Sequence, residues 1–168
     1  MTTLSPILPS DHESVERLYD LAFGPGRYDL SSYRLRESLP DIASLALKSV
    51  DGDGGLCGAI RFWPIRIGDC DGMQLLLGPI AVHPTRQGEG IGCALITEGI
   101  DRARRADYRA IVLVGDEPYY SRFGFRKAPS VTMPAPTNPE RTLMLDFAAT
   151  GTQPLIGPVR QWRGTHSV

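Results

Sequence analysis

The stretch that decides the fold reads Leu77-Gly78-Pro79-Ile80-Ala81-Val82-His83-Pro84-Thr85-Arg86-Gln87-Gly88-Glu89-Gly90-Ile91-Gly92. It predicts a buried strand, a glycine-rich turn and the start of a helix in direct succession. The glycines of the turn let backbone N–H groups converge at the positive end of that helix, where an anion is stabilised. Glycines at such a turn also serve close packing of a helix on a sheet. The stretch therefore predicts either a phosphate-like anion site or a purely structural turn.

Two widespread phosphate loops do not match this turn. A P-loop needs a lysine followed by serine or threonine after its last glycine, and Cys93-Ala94 stands there instead. A dinucleotide-binding fingerprint that starts at Gly90 needs glycine or alanine where this chain has Leu95. The missing lysine makes a nucleotide-binding domain a remote alternative.

The pair Gly78-Pro79 interrupts the apolar strand before the turn. Proline lacks the N–H that a strand donates, so the pair predicts a bulge that breaks pairing with the next strand. The strand groups exposed by such a break can pair with an extended ligand that carries amides of its own. The pantetheine arm and pyrophosphate of coenzyme A have this layout, with the end of the arm at the bulge and the phosphates at the turn.

Hydrophobic periodicity and turn signals predict strands and helices on both sides of this stretch. Strands are expected at residues 4–8, 43–50, 56–67, 73–82, 110–114, 125–127 and 142–147. Helices are expected at residues 11–23 and 31–39, from the glycine turn to about residue 107, and at 116–123. Because hairpins come first and helices alternate with strands later, the fold class is α/β. We expect a central mixed antiparallel and parallel sheet of about six to seven strands, with helices on both faces.

Composition limits the classes of partner. The 168 residues are 42% hydrophobic and 22% charged, with a net charge of −1, which predicts a single domain over residues 1–168. The part from about residue 148 is a C-terminal tail of uncertain structure. The near-neutral charge predicts no nucleic-acid partner. The chain has no signal-peptide pattern and no apolar run of ~20 residues, so we expect no membrane association and a cytoplasmic location.

The cysteines predict neither a disulfide framework nor a metal site. Cys57, Cys70 and Cys93 are odd in number and lack CxxC spacing, which is typical of reduced thiols. Cys93 follows the glycine turn, but no base partner is evident for it, so it is a poor candidate for an acyl-carrying nucleophile.

Two motifs resemble the GNAT superfamily of N-acetyltransferases, in particular a bacterial subgroup of mostly unassigned substrate. Residues 87–92 match the family signature Gln/Arg-x-x-Gly-x-Gly/Ala, and Tyr120-Ser121-Arg122-Phe123-Gly124-Phe125 matches the tyrosine that precedes a Gly-Phe pair. Together the motifs cover roughly residues 77–128. The resemblance implies transfer of the acetyl group of acetyl-CoA, as cosubstrate, to the primary amine of a small molecule or peptide, without a metal. It also allows a homodimer.

The resemblance assigns roles to individual residues. Tyr120 is implied as the catalytic acid that protonates the coenzyme A thiolate, and Arg27 and Tyr28 lie where the family builds its acceptor pocket. The implied cofactor-binding residues are Ile80, Ala81 and Val82 along the strand, Gln87, Gly88, Glu89, Gly90, Ile91 and Gly92 in the turn, and Phe123.

Three points stay open. Many relatives carry an asparagine where this chain has Leu113, so a side-chain contact from that loop is in doubt. Arg27, Arg34 and Arg36 either recognise an anionic substrate or form a solvated helix face. Tyr119 is expected in the core. Candidates for the general base are His83, Asp116, Glu117, Glu37 and Asp41, with a water-mediated route as an equal alternative.

A non-catalytic module of the same fold, which senses acyl-CoA or binds a partner, is the main alternative to an enzyme. The intact Tyr120 and the complete glycine turn favour the enzyme.

Overall fold

A computed structural model describes residues 1–164 of the chain. Its centre is a nine-stranded sheet with the order β1-β2-β3-β4-β5-β8-β6, to which β9 and β7 are added beside β3. The strands are β1 (Thr3–Pro6), β2 (Leu47–Val50), β3 (Leu56–Ile67), β4 (Gln74–Val82), β5 (Ala110–Val114), β6 (Arg126–Lys127), β7 (Val131–Thr132), β8 (Thr142–Asp146) and β9 (Gly157–Gln161). The α-helices are α1 (His12–Phe23), α2 (Ser31–Arg34), α3 (Ile91–Arg105) and α4 (Glu117–Tyr120).

The sheet is mixed, as the sequence predicts. Strands β1 to β4 pair in antiparallel fashion, whereas β4 and β5 are parallel, because α3 forms the crossover between them. The strand count exceeds the expected six to seven because of β7, which is only two residues long, and β9, which lies in the tail. The α/β fold class is confirmed.

Helices cover both faces of the sheet. On one face α1 buries Val15 and Tyr19 against a cluster that includes Ala59 and Ala81. On the other face α3 packs closely, since a Cβ at Gly99 would lie 2.7 Å from the ring of Phe62. The strands between them bury large apolar side chains and form the core.

The segment around residues 31–50 differs from the prediction. Regular helix ends at Arg34, and residues 35–39 form irregular turns in which Ser38 has a positive φ of 60°. Ala43–Leu45 forms a 3-10 turn, so the strand begins only at Leu47. In both places the apolar residues are buried without forming the predicted helix or strand, as Leu35 and Leu45 show.

The tail contains a strand for which the sequence offers no signal. Ile67 pairs with Val159 across the β3 and β9 ladder, and both side chains are buried. Leu155 is also buried in the cluster beneath β9. Within residues 1–164, no helix is long and apolar enough to cross a membrane.

Candidate functional site

The site begins at a bulge in β4. Ile80 pairs with Ile60 and Leu77 pairs with Phe62, so β4 has one residue more than β3 between these pairs, at Gly78-Pro79. The predicted bulge is thereby confirmed. The buried hydroxyl of Tyr19 donates a hydrogen bond of 3.2 Å to the carbonyl of Pro79 and holds the bulge against α1.

Beyond the bulge, β4 and β5 separate. Their ladder is limited to Leu75 with Ile111 and Leu76 with Val112. From Gly78 to Val82, the edge of β4 that faces β5 therefore has no strand partner among the described residues. An open strand edge can pair with an extended ligand.

A cavity of about 360 Å³ lies at this opening. Its walls come from the bulge, from the end of β5 including Leu113, from α4 and from the segment between α1 and α2. Residues that line it include Arg27, Tyr33, Arg36, Gly78, Ile80, Asp116, Tyr119 and Tyr120. Because Leu113 stands in this wall, the cavity is apolar at this position.

The glycine turn forms a cradle of backbone donors. Gly88 and Gly90 have φ values of 84° and 77°, and a Cβ at either would meet no atom within 4 Å. No backbone N–H from Gln87 to Cys93 has a backbone hydrogen-bond partner within residues 1–164, whereas the N–H of Ala94 already bonds to Gly90. These donors surround the N-terminus of the 15-residue α3, where the helix dipole favours an anion.

The only acidic side chain in the turn, that of Glu89, is paired with a cation. The guanidinium of Arg86 bonds both carboxylate oxygens of Glu89, at 2.9 and 3.0 Å, and contacts Asp51 at 3.3 Å. This contact offsets the charge of Glu89 and ties the turn to the hairpin between β2 and β3.

Tyr120, for which the role of catalytic acid stays a prediction, lines the first cavity. Burial raises the pKa of its phenol to about 12, so it remains protonated and able to donate at neutral pH. Its ring contacts Tyr119, Phe123 and Phe125 at centroid distances of 4.9, 6.4 and 6.0 Å. Phe123 therefore supports the tyrosines rather than lining the cavity.

The predicted cofactor-binding residues fall into two groups. Ile80 lines the cavity with Tyr120, while Ala81 and Val82 continue along the open edge toward the turn. The turn residues, Gln87 to Gly92, lie beyond that edge at the start of α3. Tyr119 is exposed rather than part of the core, and its hydroxyl lies 4.0 Å from the Sγ of Cys93.

Arg27 is engaged by its neighbours and is buried. It bonds Glu16 at 2.7 Å, Asp20 at 2.8 Å, and the hydroxyls of Tyr28 and Tyr33 at 2.6 and 2.5 Å. A guanidinium with four such bonds has little donor capacity left. The geometry favours a structural role for Arg27 over the predicted contact with an acceptor, whereas Tyr28 is exposed.

A second cavity of about 390 Å³ adjoins the first. It shares Tyr33, Arg36 and Pro79 with the first cavity. Trp63 of β3 also lines this second cavity. Arg34 is exposed at its rim, but Arg36 is buried, so a solvated face of arginines is wrong for Arg36.

The candidates for the general base are mostly occupied by other partners. The Nδ1 of His83 contacts the hydroxyl of Thr85 at 2.8 Å, Asp41 contacts Arg61 at 3.3 Å, and Glu117 contacts Lys127 at 3.9 Å. These contacts fit structural roles.

Asp116 and Glu37 remain near the cavities. Asp116 lines the first cavity and contacts Arg141 at 3.3 Å, while the exposed Glu37 lines the second. The part of the chain that the structure describes contains no group of His, Cys, Asp and Glu side chains arranged for a metal.

Comparison with known proteins assigns the family. The family model described as acetyltransferase (GNAT) domain matches residues 48–127. The uncharacterized N-acetyltransferase YhbS of Escherichia coli K12 is 30% identical over 121 residues, which are 72% of this chain and 71% of YhbS. A crystal structure of a GNAT family acetyltransferase from Brucella melitensis in complex with acetyl-CoA is 31% identical, with a TM-score of 0.71 and 97% of each chain covered.

A second solved structure has the same fold. The crystal structure of YhbS from Escherichia coli in complex with CoA has a TM-score of 0.79 at 24% identity and covers 96% of this chain and 89% of its own. Together with the identity to YhbS over more than two thirds of both chains, these findings show that the protein belongs to the GNAT family of N-acetyltransferases.

Proposed function

We propose that this protein transfers the acetyl group of acetyl-CoA to a primary amine by direct attack in a ternary complex. One observation carries the proposal: the open edge of β4 connects a cradle of unpaired backbone donors at α3 with a cavity that contains Tyr120. The Brucella melitensis and Escherichia coli relatives, crystallised with acetyl-CoA and CoA, support this cosubstrate.

The cosubstrate is bound mainly by backbone groups. The N–H groups of residues 87–92 hold the pyrophosphate, because they are unpaired and the space beside Gly88 and Gly90 is open. The edge from Gly78 to Val82 pairs with the amides of the pantetheine arm. This arrangement directs the thioester to the bulge and to Tyr120.

The chemistry follows from this placement. The nitrogen of a neutral amine attacks the thioester carbon, and backbone donors at the bulge stabilise the oxyanion by about 3 kcal/mol. As the C–N bond forms and the C–S bond breaks, Tyr120 gives its proton to the leaving thiolate. The ammonium proton leaves to Asp116 or to water, and Tyr120 then regains a proton from solvent.

The same proposal covers the domain organisation, the cellular location and the oligomeric state of the protein. We take residues 1–164 as one catalytic domain, acting in the cytoplasm on a small-molecule or peptide amine. The three free thiols fit a reducing compartment. The proposal also allows a homodimer.

Calorimetric titration of the purified protein with acetyl-CoA tests the proposal, with desulfo-CoA and ATP as comparison ligands. Gly90→Asp places a carboxylate in the cradle at a residue with φ 77°, and we expect at least tenfold weaker binding of acetyl-CoA. Gly72→Asp is the matched control, since Gly72 has φ 86°, equally open surroundings and a position at the opposite end of β4.

The outcomes separate the two functions. Binding that only Gly90→Asp weakens, followed by thiol release with an amine, supports the enzyme. Binding without thiol release from any amine tested favours the acyl-CoA-sensing module. Absence of acetyl-CoA binding by the parent protein contradicts both.

A further inference from the structure

Arg36 is a buried cation whose charge is not balanced. Only 8% of the residue is exposed, and its Nε is buried without a hydrogen-bond partner among residues 1–164. Arg27 and Arg61, by contrast, each form an ion pair with Glu16, at 2.7 and 2.5 Å. Arg36 has no such pair with a carboxylate in the described part of the chain. Because burying an unpaired charge is unfavourable, such a residue points to a ligand.

The guanidinium of Arg36 lies between the two cavities, at the bulge. Its Nη2 is 3.0 Å from the position that a Cβ on Gly78 would occupy, so the guanidinium lies directly against the bulge. Arg36 lines both cavities, together with Tyr33 and Pro79. A group bound to Arg36 is therefore next to the point at which β4 and β5 separate.

Aromatic rings hold this guanidinium in place. Its central carbon is 5.0 Å from the centroid of Tyr33 and 6.0 Å from that of Trp63. Aromatic contacts satisfy the faces of a guanidinium and leave its N–H groups to bind within the plane. The arrangement matches a planar anion such as a carboxylate, which accepts two parallel hydrogen bonds.

The neighbouring carboxylates do not serve as the counter-ion. Glu16 accepts from both Arg27 and Arg61, and Asp41 contacts Arg61. Glu37 lines the second cavity but is exposed. Burial lowers the pKa of Arg36 to about 10, which still leaves it charged at neutral pH.

We propose that the acceptor is an amino carboxylate, a small amine whose carboxylate binds the guanidinium of Arg36. This inference rests on the proposed function and names the substrate class for that site. The second cavity admits the acceptor between Tyr28, Tyr33 and Trp63, and Arg36 holds its carboxylate so that its amine reaches the thioester at the bulge. One unpaired guanidinium matches a single carboxylate charge better than a phosphate dianion, which needs further donors.

The test compares acceptors that differ only in this charge. Thiol release from acetyl-CoA is measured with glycine, β-alanine, phenylalanine and glutamate, each beside the corresponding carboxamide. Binding of N-acetylphenylalanine and its amide to the protein with CoA is measured by calorimetry as a readout without turnover. We expect at least one amino carboxylate to react at least tenfold better in kcat/KM than its amide.

Variants assign the preference to one residue. Arg36→Gln should abolish the preference for the carboxylate, and Arg36→Lys, which retains the charge, should keep part of it. Arg17→Gln is the control, because it removes an exposed arginine of α1 that lines neither cavity. Circular dichroism and unfolding of each variant check the fold, and the comparison in the parent protein does not depend on any variant folding.

Three results would overturn the inference while leaving the acetyltransferase proposal intact. The first is a protein that binds acetyl-CoA but reacts with no amino carboxylate better than with the corresponding amide. The second is a preference for the carboxylate that survives in a folded Arg36→Gln protein. The third is an equal loss of turnover with charged and uncharged amines in Arg36→Gln, which would assign Arg36 to the thioester. Failure to bind acetyl-CoA at all is the separate result that contradicts the proposed function.

Discussion

The ring of Tyr120 rests on the backbone of Gly115, so closely that position 115 has no room for a side chain. A Cβ at Gly115 would lie 2.5 Å from Cε2 of Tyr120 and 3.0 Å from Leu113. Carbon atoms normally approach to about 3.5–4.0 Å, so an alanine at position 115 has to displace the ring by about 1 Å. The missing side chain at Gly115 therefore positions the proposed acid.

Gly115→Ala should lower kcat by about 10²-fold, because a misplacement of this size is enough to impair catalysis. Affinity for acetyl-CoA should stay within about twofold in calorimetry, since the cradle at residues 87–92 is not involved. Gly52→Ala is the control, as a Cβ at Gly52 meets no atom within 4 Å. An unchanged kcat in Gly115→Ala would mean that the position of Tyr120 does not matter.

Tyr120→Phe removes the proposed proton donor and keeps the ring that packs with Phe123 and Phe125. We expect kcat to fall about 10²-fold, the usual contribution of a general acid, with little change in acetyl-CoA affinity. Tyr108→Phe is the control, because Tyr108 is a half-buried tyrosine packed on the same core and does not line the first cavity. Equal turnover by parent and Tyr120→Phe would remove the acid assignment.

The pH behaviour of Tyr120 provides an independent check. Burial raises the pKa of its phenol to about 12, against about 10 for an unperturbed tyrosine. The neutral form is favoured in the folded protein, so the stabilisation linked to this shift is fully present below pH about 10 and is lost as pH rises through about 12.

A difference titration of phenolate absorbance between the parent and Tyr120→Phe measures this pKa directly. We expect the missing phenol to titrate near pH 12, and unfolding experiments should show the parent losing stability over the same interval. A midpoint near 10 would show that Tyr120 is solvated, contrary to the cluster in which it lies.

The sequence reveals those parts of the site that depend on local backbone preferences. Glycines at 88 and 90 adopt the positive φ that only a glycine-rich turn allows readily, and Gly78-Pro79 forms the predicted bulge. These features need no knowledge of distant contacts.

Other parts depend on contacts between segments far apart in the chain, which periodicity cannot reveal. Arg36 lies in the irregular turns after α2. Its burial requires contacts with Trp63 of β3 and with the bulge of β4. The strand at Gly157–Gln161 has an ordinary composition, and its partner in β3 lies about 90 residues earlier. Only the spacing of Arg34 and Arg36, which places them on different sides of a helical turn, hints that the two differ in burial.

Removal of Arg27 should destabilise the protein. Its guanidinium is buried and joins Glu16 and Asp20 of α1 to two tyrosine hydroxyls. Arg27→Met removes the donor to Asp20 and to the two tyrosine hydroxyls and leaves Glu16 paired with Arg61 alone. We expect a loss of about 2–4 kcal/mol in the free energy of unfolding. Arg17→Met is the control on α1, since the ion pair of Arg17 with Glu13 is exposed and contributes below about 0.5 kcal/mol. Urea denaturation measures both, and equal effects would contradict the structural role of Arg27.

The tail should unfold together with the rest of the domain. Leu155 is 2% exposed in the cluster beneath β9, whereas the adjacent Ile156 is 54% exposed. Leu155→Ala should lower the free energy of unfolding by about 2–4 kcal/mol because it leaves a cavity in a packed core, and Ile156→Ala should cost less than about 1 kcal/mol. Urea unfolding followed by both fluorescence and circular dichroism should give one coincident transition in each variant. A docked strand that shares the buried cluster of β3 cannot be released without exposing that cluster. Two separate transitions, or a Leu155→Ala protein as stable as Ile156→Ala, would therefore show that the tail is not integrated into the core.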